Sequence, residues 1–398
     1  MRKFYNIIIK LYTLWLWKSS FYNRKNKIIV DNQKGLIQLI SKNIDTHQDI
    51  IWIHVSSLGE FEQSKTIISS YRKKYPNDKI LLTVYSPSAY EIIFDNKLTD
   101  WTFYLPHDTK RNAKEFLEIV NPKKVIFIKY EFWFNYINEI YKKKIPLFFV
   151  SCVFREEQYF FKQYGSWFAN ELKKVSRFFV QDKKSKLLLN KINIKNVTIS
   201  GDTRFDVIKQ NTSLKYDDKI INEFTKNNKV LVLGSTYKED EALFKKLYEK
   251  INYKFIIIPH EINNINRCKK IKNSLFLSEA RKTNLDVNAF KILIIDEIGI
   301  LSRLYRYGNI AYVGGGFNLG VHNVIEPIAY KIPVIFGPHH YKSIEAEELV
   351  DIGISRVIYK EKDIITAINY YEKNDRSDLI TKYLNTKIGA TDMIIKNI

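Results

Sequence analysis

Three acidic residues stand out because each follows a strand-like apolar run and a small-residue turn. They are Glu60 in HVSSLGEFEQ, Glu239 in LGSTYKEDE and Glu326 in HNVIEP. A Ser, Thr or Asn precedes each acid by three residues, which is the spacing of a capping box at a helix start. Helix capping is therefore the plain structural interpretation of any one of these turns taken alone.

The same turns also suit binding chemistry. A helix start with bare backbone and free N–H groups can bind a phosphate, and this applies to Ser235–Thr236 and to Asn323. The glycines at 314–316 would let a ligand come close to the main chain, and Glu326 could accept hydrogen bonds from ribose hydroxyls. The stretch VGGGFNLGVHNVIEP has neither the Walker nor the Rossmann spacing, so its glycines alone do not identify the ligand.

Glu60 differs from the other acids in its surroundings. It follows Ser57 and Gly59 at the mouth of the first predicted sheet, where a carboxylate could act as general base on a hydroxyl. Glu131 in KYEFWFN ends another strand of the same half, and Arg204 in GDTRFD ends the last strand before a polar stretch and could face an anion. A helix-start acid and a surface arginine are the structural alternatives for these two residues.

Short apolar runs that alternate with helical stretches must position these residues. The first half contains DIIWIHV, KILLTVY, KVIFIKY, PLFFVSC, RFFVQD and NVTIS, and the second contains KVLVLGS, KFIIIPH, KILIIDE, NIAYVGG and PVIFG. Such runs suit strands buried on both faces of a parallel sheet, and their alternation with helices predicts a doubly wound α/β fold. Because such sheets bind ligands beyond the carboxyl ends of their strands, we expect a cleft between two facing sheets.

The polar stretch at 209–229 is the best candidate for a domain boundary. We therefore expect a separate N-terminal segment over 1–30, a first Rossmann-like domain over 31–208, a linker over 209–229 and a second Rossmann-like domain over 230–398.

The N-terminal segment, MRKFYNIIIKLYTLWLWKSSFYNRKNK, is aromatic and basic. Through Lys34 there are eight basic residues against Asp31, so 8 − 1 gives +7. The apolar stretch from Phe4 to Trp17 is interrupted and shorter than the roughly 20 residues that cross a bilayer, and no signal-peptide cleavage site follows. An interfacial helix on an anionic leaflet fits better, and a helix packed on the protein's own surface is the alternative.

The composition is ordinary for a soluble globular protein of two or three domains, with 398 residues, 45% hydrophobic and 27% charged. The net charge of +21 suits nucleic acid, an anionic membrane or an acidic substrate, although a codon bias toward lysine would also produce it. Cys152 and Cys268 fit no metal or redox spacing, which favours a reducing compartment.

Taken together, these motifs resemble those of the 3-deoxy-D-manno-octulosonic acid (Kdo) transferases of lipid A assembly. IWIHVSSLGEFEQSK is similar to W-I-H-A-x-S-x-G-E, KYEFWFN to E-T-E-x-W-P-N, and GDTRFD to G-N-x-K-F-D. LGSTYKEDE resembles A-G-S-T-H-x-G-E-E, VGGGFNLGVHNVIEP resembles V-G-G-S-x-x-x-x-G-G-H-N-x-L-E-P, and IPVIFGPHHYK resembles P-V-x-x-G-P-H. The six segments occur in the family's order over nearly the whole chain.

The resemblance implies the two-domain glycosyltransferase B fold, with the acceptor bound by the domain over 31–208 and the nucleotide sugar by the domain over 230–398. It also implies an inverting transfer of Kdo from CMP-Kdo to a lipid A precursor, without metal or cofactor. It implies that Glu60 is the general base and that Glu131 and Arg204 support the transition state. Substrate contacts would involve these further residues: Ser57, Gly59, Ser235, Thr236, Pro259, His260, Ile298, Gly299, Ile300, Gly315, Gly316, His322, Asn323, Val324, Ile325 and Glu326. Such an enzyme would work at the cytoplasmic face of the inner membrane, peripherally or through its N-terminal segment, with no nucleic-acid partner.

The chain departs from the family's motifs at several places. Lys129 stands where a carboxylate is usual, Phe134 replaces a proline, His260 stands where the family has an arginine, Arg204 replaces a lysine, and Ile300 replaces a glutamate. These departures concern individual contacts to the substrates.

Three other functions stay open at this point. A related two-domain glycosyltransferase would use another nucleotide sugar, and donor screening would reveal it. A basic RNA-binding protein would explain the charge, but the aromatic residues lie in apolar strand-like runs and no nucleic-acid module is recognisable. A catalytically inactive membrane scaffold is the third, and the presence of Glu60, Glu131 and Glu326 in one chain argues against it.

Overall fold

The structure, a computed structural model, describes residues 1–45, 48–283 and 285–398. The chain forms two compact units: unit 1 comprises Met1–Val207 and Lys387–Ile398, and unit 2 comprises Ile208–Thr386. Each unit has its own parallel sheet with intervening helices, which is the α/β architecture that the alternating sequence pattern predicts.

Seven parallel strands form the sheet of unit 1: β1 (Ile50–Val55), β2 (Lys79–Val84), β3 (Trp101–Tyr104), β4 (Lys124–Ile128), β5 (Leu147–Cys152), β6 (Arg177–Val180) and β7 (Val197–Ile199). They pair in the order β3-β2-β1-β4-β5-β6-β7. The chain builds outward from β1 through β2 to β3, and then continues from β4 on the other side of β1. The strand order therefore reverses between β1 and β4, which is where open parallel sheets bind ligands.

The helices of the first 213 residues are α1 (Arg2–Ser19), α2 (Arg24–Gln33), α3 (Leu36–Asn43), α4 (Leu58–Lys74), α5 (Pro87–Ile93), α6 (Lys110–Val120), α7 (Phe134–Lys142), α8 (Ser166–Leu172), α9 (Lys183–Lys191) and α10 (Thr203–Ser213). Alternate residues of β1 enter two separate cores: Trp52 packs in a core with residues of α3, α6 and α7, and Ile53 in one with residues of α4 and α5. Both faces of the strand are therefore buried, which explains its continuous apolar run. Within the described ranges, none of the helices combines the length and apolar character that a bilayer crossing requires.

Seven further parallel strands form the sheet of unit 2: β8 (Val230–Thr236), β9 (Lys254–Pro259), β10 (Ser274–Phe276), β11 (Ile292–Ile294), β12 (Ile310–Val313), β13 (Val334–Phe336) and β14 (Ser355–Val357). Their order is β10-β11-β9-β8-β12-β13-β14, so the reversal lies between β8 and β12. The accompanying helices are α11 (Lys219–Thr225), α12 (Lys238–Lys245), α13 (Leu277–Ala280), α14 (Leu301–Leu304), α15 (Ile325–Ile328), α16 (Ile344–Asp351), α17 (Glu361–Lys373) and α18 (Ser377–Lys387).

The two units differ at their ends from the domains expected from the sequence. The stretch 209–229, expected to be a linker, contains the end of α10 and all of α11 and belongs to unit 2. The last residues, 387–398, belong to unit 1 and not to the domain expected over 230–398. They form α19 (Ala390–Lys396), which packs on α4, and the Thr391 hydroxyl lies 2.9 Å from the Thr66 hydroxyl.

Candidate functional site

The carboxyl ends of β1 and β4 hold a hydrogen-bonded cluster centred on Glu131. Its Oε2 accepts hydrogen bonds from Trp133 Nε1 at 2.7 Å and from the Ser56 hydroxyl, and lies 3.1 Å from His54 Nε2. His54 is itself fixed, because its Nδ1 lies 2.8 Å from Thr83 Oγ1. These partners compensate for the hydration that the buried Glu131 carboxylate has lost.

Glu60 lies beside this cluster, in the first turn of α4. Its Oε2 accepts hydrogen bonds from the backbone N–H groups of Ser56 at 2.5 Å and Ser57 at 3.1 Å, and its own N–H donates to Ser57 Oγ at 3.3 Å. This is the capping box that the spacing predicts. Ser56 therefore joins the two acids, because its N–H bonds Glu60 and its hydroxyl bonds Glu131.

The two carboxylates have opposite pKa shifts. Burial, and then the negative charge of Glu131, raises the pKa of Glu60, against the opposing hydrogen bonds from the backbone of Ser56 and Ser57. Burial also acts to raise the pKa of Glu131, but the hydrogen bond and electrostatic attraction of His54, with bonds from Ser56 and Trp133, outweigh it and lower that pKa. Two neighbouring acids whose pKa values are shifted in opposite directions can take different roles in a reaction. One stays ionised while the other exchanges a proton.

Three members of this cluster, His54, Ser56 and Trp133, were not singled out from the sequence. His54 gave a usable signal, since a polar residue inside an otherwise apolar strand needs partners when it is buried. Trp133 stands at the tryptophan of the E-T-E-x-W-P-N motif, but a tryptophan near a strand end usually indicates packing and does not by itself indicate a hydrogen bond to an acid. The structure shows that the indole N–H of Trp133 donates a hydrogen bond to the carboxylate of Glu131.

The two predicted substrate contacts next to Glu60 are exposed. Ser57 is the N-cap of α4, and a Cβ added at Gly59 would meet no atom within 4 Å. Packing inside the protein therefore does not require glycine at this position. Substrate binding by Ser57 and Gly59 stays a prediction.

Arg204 lies in the first turn of α10 and is held by Asp202. Its Nε donates to Asp202 Oδ2 at 2.7 Å, and its backbone N–H donates to Asp202 Oδ1 at 2.9 Å. The start of α10 is tied to the end of β5 by the hydroxyls of Ser151 and Thr203, 2.9 Å apart. Arg204 therefore follows a strand end on the same edge of the sheet as Glu131. Among the described hydrogen bonds, Ser56 joins Glu60 to Glu131, and Arg204 bonds Asp202.

In unit 2, Asp240 ties together the turns that follow β8 and β12. Its Oδ2 accepts hydrogen bonds from Tyr237 N at 2.8 Å and from Gly315 N at 3.2 Å, and its Oδ1 accepts one from the Tyr312 hydroxyl. These two turns flank the reversal in strand order of this sheet.

The helix after β8 is capped one residue later than the sequence predicts. The expected pair was Thr236 with Glu239, but β8 runs through Thr236, whose hydroxyl donates to Glu241 Oε1 at 2.9 Å. Tyr237 is the N-cap of α12, Asp240 accepts from its backbone N–H, and Glu239 is exposed. Ser235 has a left-handed φ of 53° at the irregularity that lengthens the strand.

The glycine-rich turn after β12 packs directly against protein backbone. An added Cβ would lie 2.1 Å from Ser235 O at Gly314, 2.4 Å from Gly320 O at Gly315, and 2.5 Å from the backbone nitrogen of residue 337 at position 316. Close contacts within unit 2 therefore account for all three glycines, whereas the sequence suggested that they make room for a ligand. Ligand contacts by Gly315 and Gly316 stay a prediction.

Three rings stack where β8, β9 and β12 end. The ring centroids of His260 and His322 are 4.3 Å apart, and that of Tyr237 lies 4.9 Å from His260 and 5.6 Å from His322. The Tyr237 hydroxyl lies 3.2 Å from His322 Nε2. Burial, with the neighbouring His260, lowers the pKa of His322 to about 4, so this imidazole is neutral at pH 7. The structure thus brings two predicted residues together and adds Tyr237.

Asn323 and Glu326 lie together at the start of α15. Asn323 Oδ1 accepts a hydrogen bond from Ile325 N at 3.1 Å, and its Nδ2 donates to Glu326 Oε1 at 3.0 Å. The N-cap is Val324, so the pair bonds side chain to side chain and is not the expected capping box. Because Val324 and Ile325 are buried, any ligand contact by these two would have to use their backbone.

The remaining predicted residues lie along the same edge of the unit 2 sheet. Pro259 is buried at the end of β9. Ile298–Gly299–Ile300 forms a turn between β11 and α14, with Ile298 86% exposed. The structure therefore gathers the predicted contacts of unit 2 at the carboxyl ends of neighbouring strands.

The sequence of this chain is similar to curated Kdo transferases. Residues 30–207 match the family described as 3-Deoxy-D-manno-octulosonic-acid transferase (kdotransferase). The chain is 26% identical, over 85% of its length, to a 3-deoxy-D-manno-octulosonic acid transferase of Rickettsia felis, spanning 75% of that protein, and 27% identical, over 80% of its length, to one of Aquifex aeolicus, spanning 84%. It is also 27% identical, over 94% of its length, to a bifunctional glycosyltransferase/methyltransferase of Fusobacterium nucleatum, of which it spans 60%.

Solved structures with a similar fold include two UDP-GlcNAc 2-epimerases. The one from Neisseria meningitidis has a TM-score of 0.61 at 16% identity and covers 88% of this chain and 99% of its own, and the one from Methanocaldococcus jannaschii has a TM-score of 0.55 at 16% identity and covers 81% and 92%. At this identity the likeness concerns the fold alone, and it confirms the expected class of two Rossmann-like units of the glycosyltransferase B type. The match over residues 30–207, together with relatives at 26–27% identity over most of the chain, shows that this sequence is similar to the Kdo transferases.

Proposed function

We propose that this protein transfers Kdo from CMP-Kdo to a hydroxyl of a lipid A precursor, with inversion at the anomeric carbon. The observation that carries the proposal is the pair of acids joined by Ser56 at the strand-order reversal of unit 1. The shift that raises the pKa of Glu60 favours a group that takes up a proton, and the shift that lowers the pKa of Glu131 favours a group that stays ionised.

In the proposed reaction, the acceptor oxygen forms a bond to the anomeric carbon of Kdo while the bond from that carbon to the phosphate oxygen of CMP breaks. The electron pair of the broken bond leaves with CMP. Glu60 accepts the proton of the acceptor hydroxyl and becomes a neutral carboxylic acid. Glu131 keeps its negative charge and supports the positive charge that develops at the anomeric carbon, and the Arg204 guanidinium supports the negative charge on the leaving phosphate.

Unit 2 would bind the nucleotide along the carboxyl edge of its sheet. The hydrogen-bonded pair Asn323 and Glu326 suits a ribose, because a carboxylate accepts from hydroxyls and an amide both donates and accepts. Ser235 and Thr236, at the carboxyl end of β8, would supply backbone polar groups to the same nucleotide. This assignment is supported by the gathering of these residues at the strand-order reversal between β8 and β12.

The first experiment is mass spectrometry of a tetraacylated lipid A precursor after incubation with the protein and CMP-Kdo. We expect the mass of one or more Kdo residues to be added. For Glu60→Gln we expect the rate to fall by about 10²–10⁴-fold, the usual contribution of a general base. Glu62→Gln is the matched control, since Glu62 lies on the same helix, has a side chain that is 43% exposed and pairs with Lys65.

Two results would overturn this proposal. A near wild-type rate for Glu60→Gln would remove Glu60 as the base. Strong turnover with UDP-sugars and none with CMP-Kdo would remove the donor and favour a related glycosyltransferase.

We further propose that α1 attaches the protein to an anionic leaflet. One face of α1 packs on unit 1 through the buried Leu16 and through Tyr5, which hydrogen-bonds Asp108. The opposite face carries apolar side chains that are 45–59% exposed: Phe4, Ile7, Ile8, Leu11, Leu14 and Trp15. An outward apolar stripe of this kind, with exposed Lys3, Lys10 and Lys18 on the same helix, suits the interface of an anionic membrane.

Flotation with vesicles of phosphatidylglycerol and phosphatidylcholine tests the attachment. We expect Leu11→Asp to lose vesicle binding, whereas Leu187→Asp, an equally apolar and exposed position on α9, should retain it. Equal flotation of the two variants would refute the role of α1. Activity on a water-soluble acceptor analogue should be the same in both.

A further inference from the structure

The ring stack of Tyr237, His260 and His322 fixes the orientation of one imidazole. The rings of His260 and His322 lie nearly parallel, at 23°, and those of Tyr237 and His322 at 16°. The backbone of His322 is held by a hydrogen bond of 3.1 Å from its N–H to Gly314 O. A Cβ at Gly315 would lie 3.0 Å from His322 Cδ2, so the close approach of that backbone leaves little room for the ring to turn.

The hydrogen bond between Tyr237 and His322 has two possible directions. If His322 Nε2 donates, the phenol proton of Tyr237 and the Nδ1 lone pair of His322 both lack a protein partner among the described side chains. If the phenol donates to Nε2, the only proton without such a partner is the one on His322 Nδ1. The phenol hydroxyl is a stronger hydrogen-bond donor than an imidazole N–H, and a neutral imidazole nitrogen is a stronger acceptor than a phenol oxygen, so the second arrangement is favoured.

The protonation states of the two residues agree with this direction. The pKa of Tyr237 is raised, first by burial and then by the nearby acids Glu261 and Asp240, so its hydroxyl keeps the proton that it donates. The pKa of His322 is lowered by burial and by His260, so a second proton does not compete for Nε2 at pH 7.

The position of His322 would let its Nδ1–H group donate a hydrogen bond to a ligand. His322 directly precedes Asn323, whose side chain bonds Glu326, and it stacks on His260 at the end of β9. A neutral N–H at this edge can donate to an oxygen of an anionic ligand without bringing a charge that changes near pH 7.

We infer that Tyr237 is a positioning residue that holds His322 in the Nδ1–H tautomer, so that His322 offers a neutral N–H donor to a phosphate oxygen of a nucleotide on unit 2. The ligand part of this inference rests on the proposed function. The tautomer does not, because it follows from the contacts of the free protein.

Nitrogen NMR of the full-length protein, labelled with 15N at its histidines, tests the tautomer directly. The chain has seven histidines, and the signals of His322 are assigned by their loss in His322→Gln. In the free protein we expect Nδ1 of His322 to be protonated and Nε2 to have the shift of an unprotonated nitrogen. In Tyr237→Phe we expect the Nε2–H form to appear, while Tyr359→Phe, an exposed tyrosine of the same unit, should leave the spectrum unchanged.

Titration with CMP tests the ligand part. We expect CMP to move the Nδ1 signal of His322 and to bind about tenfold more weakly to Tyr237→Phe than to the wild type or to Tyr359→Phe. A protonated Nε2 in the free wild type, or a Tyr237→Phe spectrum identical to that of the wild type, would overturn the role of Tyr237. If neither CMP nor UMP moves the Nδ1 signal of His322, the donor role of His322 is overturned.

The outcomes separate this inference from the proposed function. A failed tautomer prediction leaves Kdo transfer to the lipid A precursor unaffected. An Nδ1 signal that moves with UMP and not with CMP would support the role of His322 while removing CMP-Kdo as the donor.

Discussion

Ser56 links the two acids Glu60 and Glu131 into one site. Its backbone N–H bonds Glu60 and its hydroxyl bonds Glu131, so the two carboxylates lie close enough for the charge of one to act on the other. His54 and Trp133 contact Glu131 and not Glu60 among the described hydrogen bonds. This asymmetry of partners explains why the pKa of Glu60 is raised while that of Glu131 is lowered.

The same asymmetry predicts how the rate of the Glu131→Gln variant depends on pH. If Glu60 is the base, kcat/KM rises with pH as Glu60 loses its proton. Burial contributes most to its raised pKa and survives the substitution, but the contribution from the charge of Glu131 disappears. We therefore expect the acidic limb of the pH–rate profile to move to lower pH in Glu131→Gln, together with a lower maximum rate.

Measurement of kcat/KM from pH 4 to pH 8 checks this expectation, with Glu62→Gln as the control that should leave the limb in place. A limb at the same pH in Glu131→Gln and wild type would mean that the two acids do not interact in the working enzyme.

Among the elements, α1 is held on unit 1 by a buried carboxylate. Asp108 Oδ2 accepts from the Tyr5 hydroxyl at 2.5 Å, and Asp108 also accepts from the backbone N–H groups of Asn135 at 3.2 Å and Tyr136 at 3.0 Å at the start of α7. Arg2 adds an ion pair with Glu171 of α8. One buried side chain thus joins the proposed membrane helix to a helix of the α/β core.

This arrangement gives a stability prediction with a defined sign. Burial raises the pKa of Asp108 to about 7, from an ordinary value of 3.8, although hydrogen bonds from Tyr5, Asn135 and Tyr136 oppose the shift. Between these two values the folded protein binds more protons than the unfolded chain, so the free energy of unfolding falls as pH rises from about 4 to about 7 and levels off above. The slope from this group is at most about 1.4 kcal/mol per pH unit.

Urea unfolding at pH 5, 6, 7 and 8 tests this prediction. Asp108→Asn should show a flatter dependence than the wild type over this range, because asparagine carries no titrating proton. Asp95→Asn, which lies on the same unit outside this network, should keep the wild-type slope. Equal slopes for Asp108→Asn and wild type would contradict the assigned shift.

The elements that the sequence predicts well are those with a local signal. The strand before Glu60 is indicated by the uninterrupted run IIWIHV, and the capping box by Ser57 and Glu60. The sequence predicts the cap of α12 one residue too early, because KEDE offers several acids and the strand irregularity at Ser235 decides which of them bonds the backbone. The role of Trp133 depends on a hydrogen bond to a carboxylate, and its sequence context does not indicate one.

At the scale of the whole molecule, unit 1 is not one continuous stretch of chain, because residues 387–398 belong to it although unit 2 precedes them in the sequence. The last residues leave unit 2 and complete the core of unit 1, where Ile394 and Ile395 join the buried residues Ile67, Ile68 and Tyr71 of α4. Hydrogen bonds also hold these last residues on unit 1, because Gly389 N and Thr391 N both donate to Asp206 at 2.7 Å. Contacts between residues so far apart leave no local pattern, so the sequence indicated a continuous C-terminal domain.

The return of the C-terminus means that the helix carrying Glu60 depends on residues more than 300 positions later. Ile394→Ala leaves a cavity against α4, and we expect it to reduce the free energy of unfolding by about 2–5 kcal/mol. Met393→Ala, at the neighbouring exposed position, should change it by less than about 0.5 kcal/mol. Hydrogen exchange should show faster exchange in α4 for Ile394→Ala than for Met393→Ala, with β8 to β14 unchanged. If β8 to β14 lose protection and α4 keeps it, the C-terminal residues stabilise unit 2, and the assignment of residues 387–398 to unit 1 is wrong.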